Sequence, residues 1–133
     1  MSFVRELYEN QVRQHADRTE PDNAAFYSLF TRETRELMQA PRTNPGKEPI
    51  GKILHAFFGF GVLPGTDVRL ARVMPAFGGT GGLFLVRVDL IVHGDPRQIL
   101  VRPVREDGVW RVADIFYGGN ESLAGYYRGI TGH

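Results

Sequence analysis

The sequence predicts an α+β fold, with N-terminal helices packed on one face of a curved antiparallel sheet of about four strands. Two observations predict it. Between Phe3 and Ala40 apolar residues recur at the three-to-four spacing of helices. From Asp67 onward apolar and polar residues alternate, with turn residues between the runs. Helices first and strands after is the order of a layered α+β fold, not of alternating βαβ units.

The first element is a helix over Phe3 to about Ala16, FVRELYENQVRQHA. Val4, Leu7, Tyr8 and Val12 fall near one face, and early Glu6 and Glu9 with late Arg13 and His15 suit the helix dipole. Arg18 to Asn23 is polar and holds Pro21, so it reads as a connector. A second helical region follows in AAFYSLFTRETRELMQA, where Thr31 is placed to cap a helix running to Ala40 with Leu37 and Met38 inward. PRTNPGKEP is a loop, with three prolines and a glycine. PIGKILHAFFGFG is apolar with interspersed glycines and reads as a short helix or an irregular lid on the core. Four alternating runs come next: VRLARVM, LFLVRVDLIV, RQILVRPVR and VWRVADIFY, separated by GGTGG, HGDP and EDG turns. SLAGYYRGI closes the chain as a short helix or turn.

Composition narrows the chemistry. With 133 residues, 42% hydrophobic and 23% charged, the chain matches one globular domain. It has no cysteine, which excludes disulfides, thiolate zinc sites and thiol catalysis. A net charge of +1 offers no whole-molecule field for nucleic acid or an anionic membrane, so neither is an expected partner. No apolar run approaches the ~20 residues of a membrane span. GGTGG lacks the Lys-Ser or Lys-Thr of a phosphate-binding loop, and no Gly-x-Ser-x-Gly elbow occurs. Arg32, Arg35, Arg42 and Lys47 are diluted by Glu33 and Glu36, which suits a solvated surface.

Three segments carry a resemblance: FVRELYENQV, FTRETRELMQA, and EDGVWRVADI followed by GGNESLAGYY. Together they resemble the nuclear-transport-factor-2-like superfamily, and within it an uncharacterised bacterial family known only as a domain of unknown function. That family's pattern is a charged turn, then Gly-Trp-Arg-hydrophobic-Asp-Asp-Ile and a Ser-Leu helix. Here Val109 stands between Gly108 and Trp110, and Ala113 takes the place of the first aspartate. The resemblance implies a cone-shaped roll of cystatin-like topology. It says little about activity, since the superfamily hosts enzymes, binding modules and assembly domains. Met1-Ser2 and Gly132-His133 read as ends added around a trimmed domain. The expected location is therefore the bacterial periplasm or outside the cell if a leader was removed, and the cytoplasm otherwise.

Strict period two in VWRVADIFY puts Trp110, Val112, Asp114 and Phe116 on one face, with Val109, Arg111, Ala113, Ile115 and Tyr117 on the other. An aspartate in an apolar row needs a partner. The candidates are backbone or a tyrosine (Tyr8, Tyr27 or Tyr117), an arginine (Arg102 or Arg87), or a ligand in a cavity. In LFLVRVDLIV, Val86, Val88, Leu90 and Val92 form an apolar face opposite Leu85, Arg87, Asp89 and Ile91. That second face is an outer, solvated one with cross-strand charge pairs, or a homodimer surface. His55 lacks partners at metal-ligand spacing, so it is expected to pack, and neither a metal nor a cofactor is expected.

The functional expectation is a non-catalytic module that binds a small ligand or a protein partner. Tyr8, Tyr27, His55, Arg102, Trp110 and Tyr117 are the expected pocket residues around Asp114. The alternative is a small isomerase- or cyclase-like enzyme, with Asp114 as general base and Tyr27, Tyr8 or His55 donating to a developing oxyanion.

Overall fold

The computed structural model describes residues 2–19, 22–41, 54–76 and 84–131. Three helices open the chain: α1 (Ser2–Asp17), α2 (Asn23–Ser28) and α3 (Arg32–Gln39). A hairpin of β1 (Leu54–His55) and β2 (Gly59–Phe60) follows. Then come β3 (Val68–Ala76), β4 (Leu85–Val92), β5 (Asp95–Glu106), β6 (Val109–Gly118), β7 (Glu121–Ser122) and a last helix, α4 (Leu123–Thr131). The result is an α+β roll, in which the N-terminal helices pack on a curved antiparallel sheet of order β3-β4-β5-β6-β7.

The elements form for local reasons. Thr31 caps α3 as its sequence suggested, accepting the Thr34 amide at 3.4 Å. The β4–β5 and β5–β6 hairpins turn on two residues each, His93-Gly94 (φ 51° and 85°) and Asp107-Gly108 (φ 54° and 79°). Both central residues at positive φ match the twist of the strands they join. Val86, Val88, Leu90 and Val92 of β4 all face the core, with Ile99 and Val101 of β5 beside them. Val4, Leu7 and Tyr8 of α1 pack over them with Phe30, Phe57 and Phe58. Each such side chain contributes about 1.5–3 kcal/mol by leaving water.

Three expectations need amendment. The sheet has five strands, because the two-residue β7 adds to β6 at Phe116 and Gly118. Leu54–Phe60 is a hairpin and not a helix, since Gly59 at φ 94° turns the chain back. The third concerns β6. Arg102 pairs with Asp114 but Pro103 pairs with Val112, so Ala113 is an extra, bulged residue. Pro103 has no N–H for the ladder, which is why the register breaks beside it. Beyond the bulge the alternation inverts: Val112 and Ile115 are both fully buried, and Asp114 leaves the inner row for the face of Arg102. The loop from Arg42, the residues before Leu54 and the GGTGG turn lie outside the described residues.

On the outer face of β4, Arg87 Nε meets Asp89 Oδ1 at 2.8 Å, and Arg72 Nε of β3 approaches Asp89 Oδ2 at 3.6 Å. The first pair lies within β4 and the second crosses from β3, as expected of charge pairs on this face; both are partly exposed, each contributing about 0–1 kcal/mol. Among the described residues no helix is long and apolar enough to cross a membrane, which says nothing about a β-barrel.

Candidate functional site

Asp114 is bonded to backbone. Its Oδ1 accepts the Ile115 amide at 2.8 Å and the Ala124 amide at 3.0 Å, so the carboxylate ties β6 to the first turn of α4. Burial raises its pKa above the ordinary carboxylate value, against those two hydrogen bonds and the fields of Arg128 and Arg102, which lower it. Arg102 lies directly across the ladder, yet no ion pair closes between them. The groove beside Asp114 is about 100 Å³, with Thr34, Arg102 and Arg128 on its walls. Thr34 Oγ1 donates to the carbonyl that the bulge exposes at Ala113, at 2.6 Å. That volume is well short of the roughly 300–1,000 Å³ of small-molecule sites.

Two expected pocket residues act as struts, and one of them, Tyr117, also lines a separate cavity of about 220 Å³ with Gly59, Phe60 and Arg97. Tyr8 donates from its hydroxyl to the Phe57 carbonyl at 2.8 Å, and Tyr117 to the Ala56 carbonyl at 2.5 Å. Both hold the β1–β2 turn down on the core, and burial pushes both phenols above their ordinary pKa. Arg97 adds a third tie, donating to the Phe58 and Phe60 carbonyls at 2.7 and 3.0 Å. Trp110 sits at the far end of the sheet, stacked on Phe3 with Arg105 over its ring. Tyr27 packs against Phe26 on α2. The expected site residues therefore do not converge on one cavity.

His55 does reach a cavity. The struts deliver its ring onto Phe58, with centroids 4.1 Å apart. Its Nδ1 accepts the amides of Phe57 and Phe58 at 3.2 and 3.3 Å. The neutral ring therefore carries its proton on Nε2. Burial, helped by the nearby His15, lowers its pKa to about 4. His15 stands edge-on to it, and its Nε2 bonds the Thr66 carbonyl at 2.7 Å, which only a protonated Nε2 can do.

These two rings border a pocket of about 250 Å³ between the end of α1, the hairpin and the Val62–Thr66 turn. Gln11, Gln14, Arg18, Thr19, Val62 and Pro64 complete its lining. Gln11 is 8% exposed and its amide makes no hydrogen bond to another described residue. Gln14 Oε1 is closed off from water and has no hydrogen-bond partner among the described residues. Such an orphaned acceptor costs about 1–3 kcal/mol.

No family model, curated protein or solved structure matches this chain. The geometry therefore carries the functional argument. Sequence reading missed Gln11, Gln14 and Arg18. A signal was present: Val4, Leu7, Tyr8, Gln11, Gln14 and His15 form one helical stripe that turns from apolar to polar at Gln11. A glutamine on the inward stripe of a helix calls for a partner. Among the described residues no cluster of three or more metal-ligating side chains occurs.

Proposed function

We propose that the chain is a non-catalytic binding module that takes a small ligand in the pocket between α1 and the β1–β2 hairpin. The observation that carries this reading is the unpartnered Gln14 Oε1 beside a cavity that the same side chain lines. Buried polar atoms are normally hydrogen-bonded, and a donor arriving in the cavity would recover the lost bond after a small rotation of the amide. The nearly buried Gln11 and the His55 Nε2–H add polar groups around an apolar floor, the usual makeup of a ligand site. We carry the nuclear-transport-factor-2-like relationship as part of the same proposal.

The enzyme reading draws on the raised pKa of Asp114. Against it stand the two backbone amides that share Oδ1 and the small volume of the adjoining groove. A base committed to holding a helix has little freedom to take a proton. A homodimer through the outer sheet face is a separate proposal, to be tested by light scattering of the parent chain and Arg87→Glu.

The test of the pocket is a fragment screen by thermal shift, followed by amide NMR. Hits should perturb His15, His55 and Val62 and be weakened by Gln14→Leu. Hits that cluster instead around Asp114, and vanish in Asp114→Asn, would move the site to the α3–α4 groove.

A further inference from the structure

Resting on that pocket reading, we infer that the ligand is a small monocarboxylate whose apolar body carries one N–H or O–H donor. Three features of the pocket lead there.

The first is Arg18. Helix α1 ends in a two-bond closure: Arg18 N bonds His15 O at 3.2 Å and Thr19 N bonds Gln14 O at 2.9 Å. This ending places Arg18 in the left-handed region at φ 55°, where glycine is favoured and other residues are strained. The arginine lines the pocket, and its guanidinium makes no hydrogen bond or ion pair with another described residue. Gly65 across the rim leaves room for it: a Cβ there would lie 3.3 Å from Arg18 Nη2. Arg18 is exposed at the pocket rim, and a guanidinium without a partner among the described residues suits a bidentate anion such as a carboxylate.

The second feature is charge. Among the described residues Arg18 is the one Lys, Arg, Asp or Glu on the pocket wall, so one negative charge is matched and two are not. His55 adds a neutral donor, because its Nδ1 is already occupied by two amides. The third feature is Gln14, a lining residue whose Oε1 has no hydrogen-bond partner among the described residues and reaches the cavity on rotation of the amide. A ligand spanning the pocket meets Arg18 with its carboxylate, Val62 and Pro64 with its body, and Gln14 with its donor. At about 250 Å³, just under the roughly 300–1,000 Å³ of drug-sized sites, the cavity limits the ligand to a single substituted ring or a short chain.

The experiment uses three matched probes, 4-hydroxybenzoate, benzoate and 4-hydroxybenzamide, titrated into the full chain by NMR and calorimetry. 4-Hydroxybenzoate should bind most tightly, with benzoate and the amide each weaker by about tenfold, the size of one charge-assisted hydrogen bond. Arg18→Gly should weaken both carboxylates about tenfold, leave the amide unchanged, and keep or raise Tm, because glycine relieves the strained position. A purely structural arginine would show the opposite, a lower Tm with unaltered affinities. Gln14→Leu should weaken the two hydroxyl probes and spare benzoate. If the amide binds as well as the acid, or Arg18→Gly leaves the carboxylates untouched, the ligand class is overturned while the pocket stands. If none of the probes shifts His15, His55 or Val62 at millimolar concentration, the pocket reading falls with it.

Discussion

The His55 ring lies flat on Phe58, with planes 10° from parallel, and this stack belongs to the uncharged imidazole. Protonation would place a hydrogen on Nδ1, facing the Phe57 and Phe58 amides that now donate to it. The folded pKa of about 4 lies below the ordinary 6.5. Below pH 6.5 the unfolded chain therefore binds more protons than the folded one, and stability falls as pH drops from 6.5 through 4. The loss should reach about 3 kcal/mol. Urea unfolding across this range checks it, with His55→Phe giving a flatter profile. An NMR titration that puts His55 near 6.5 would refute burial of the ring as the source of this pH dependence.

Tyr8 and Tyr117 reach the hairpin turn from α1 and β6, and each holds one of its carbonyls. Tyr8→Phe and Tyr117→Phe should each cost about 1–2 kcal/mol, since each leaves a buried carbonyl without its donor. The double variant should also raise the His55 pKa, because a looser hairpin admits water to the ring. Unchanged titration of His55 in the double variant would separate the struts from the pocket.

Asp114 should behave as a helix cap. Asp114→Ala removes the acceptor of two amides and should cost about 1–3 kcal/mol. Asp114→Asn keeps an acceptor and should stay within about 1 kcal/mol at neutral pH. The raised carboxyl pKa means the folded state holds the extra proton just above pH 3.8. This group's contribution therefore declines as pH rises from 3.8 through its folded pKa, and Asp114→Asn should remove that slope. Denaturant melts of the three proteins between pH 3 and 7 are the measurement.

The Ala113 bulge decides what faces the core. Deleting Ala113 puts Asp114 next to Val112 and Ile115 two positions beyond Val112, so plain alternation keeps Val112 and Ile115 inward and Asp114 outward. The deletion should stay folded and lose the Thr34 bond to the Ala113 carbonyl, at a cost of about 1–3 kcal/mol. Ala113→Ser, which keeps the extra residue, should cost under about 1 kcal/mol. Denaturant melts and NMR dispersion of the two variants are the measurement. An unfolded deletion variant would show that the extra residue itself, and not the alternation it restores, is what β6 needs.

Much of this architecture was legible. The α1 stripe, the Thr31 cap, the β4 inner row and the His-Gly and Asp-Gly turns all follow from local rules, because each depends on residues a few positions apart. The candidate site was not legible in the same way. Period two placed Asp114 beside Val112, and one bulged residue moved it to the opposite face. Pro103 in an inner strand was the warning, since proline in a ladder implies a break. Tyr8 and Tyr117 were expected around Asp114, as candidate donors to its carboxylate. Their hydroxyls donate instead to hairpin carbonyls, separated from them by 49 and 61 positions.

The sequence by itself determined the order of helices and strands, which face of each is apolar, and that no cysteine chemistry is available. Only the tertiary structure decided that the turn after His55 fills the interior, that Asp114 caps α4, and that Gln11, Gln14 and Arg18 share a cavity. The reason is range. Periodicity and turn chemistry act over a few bonds and show in any short window of sequence. A cavity, an orphaned acceptor or a bulge exists only once distant segments have packed and the remaining space is set by the volumes that surround it.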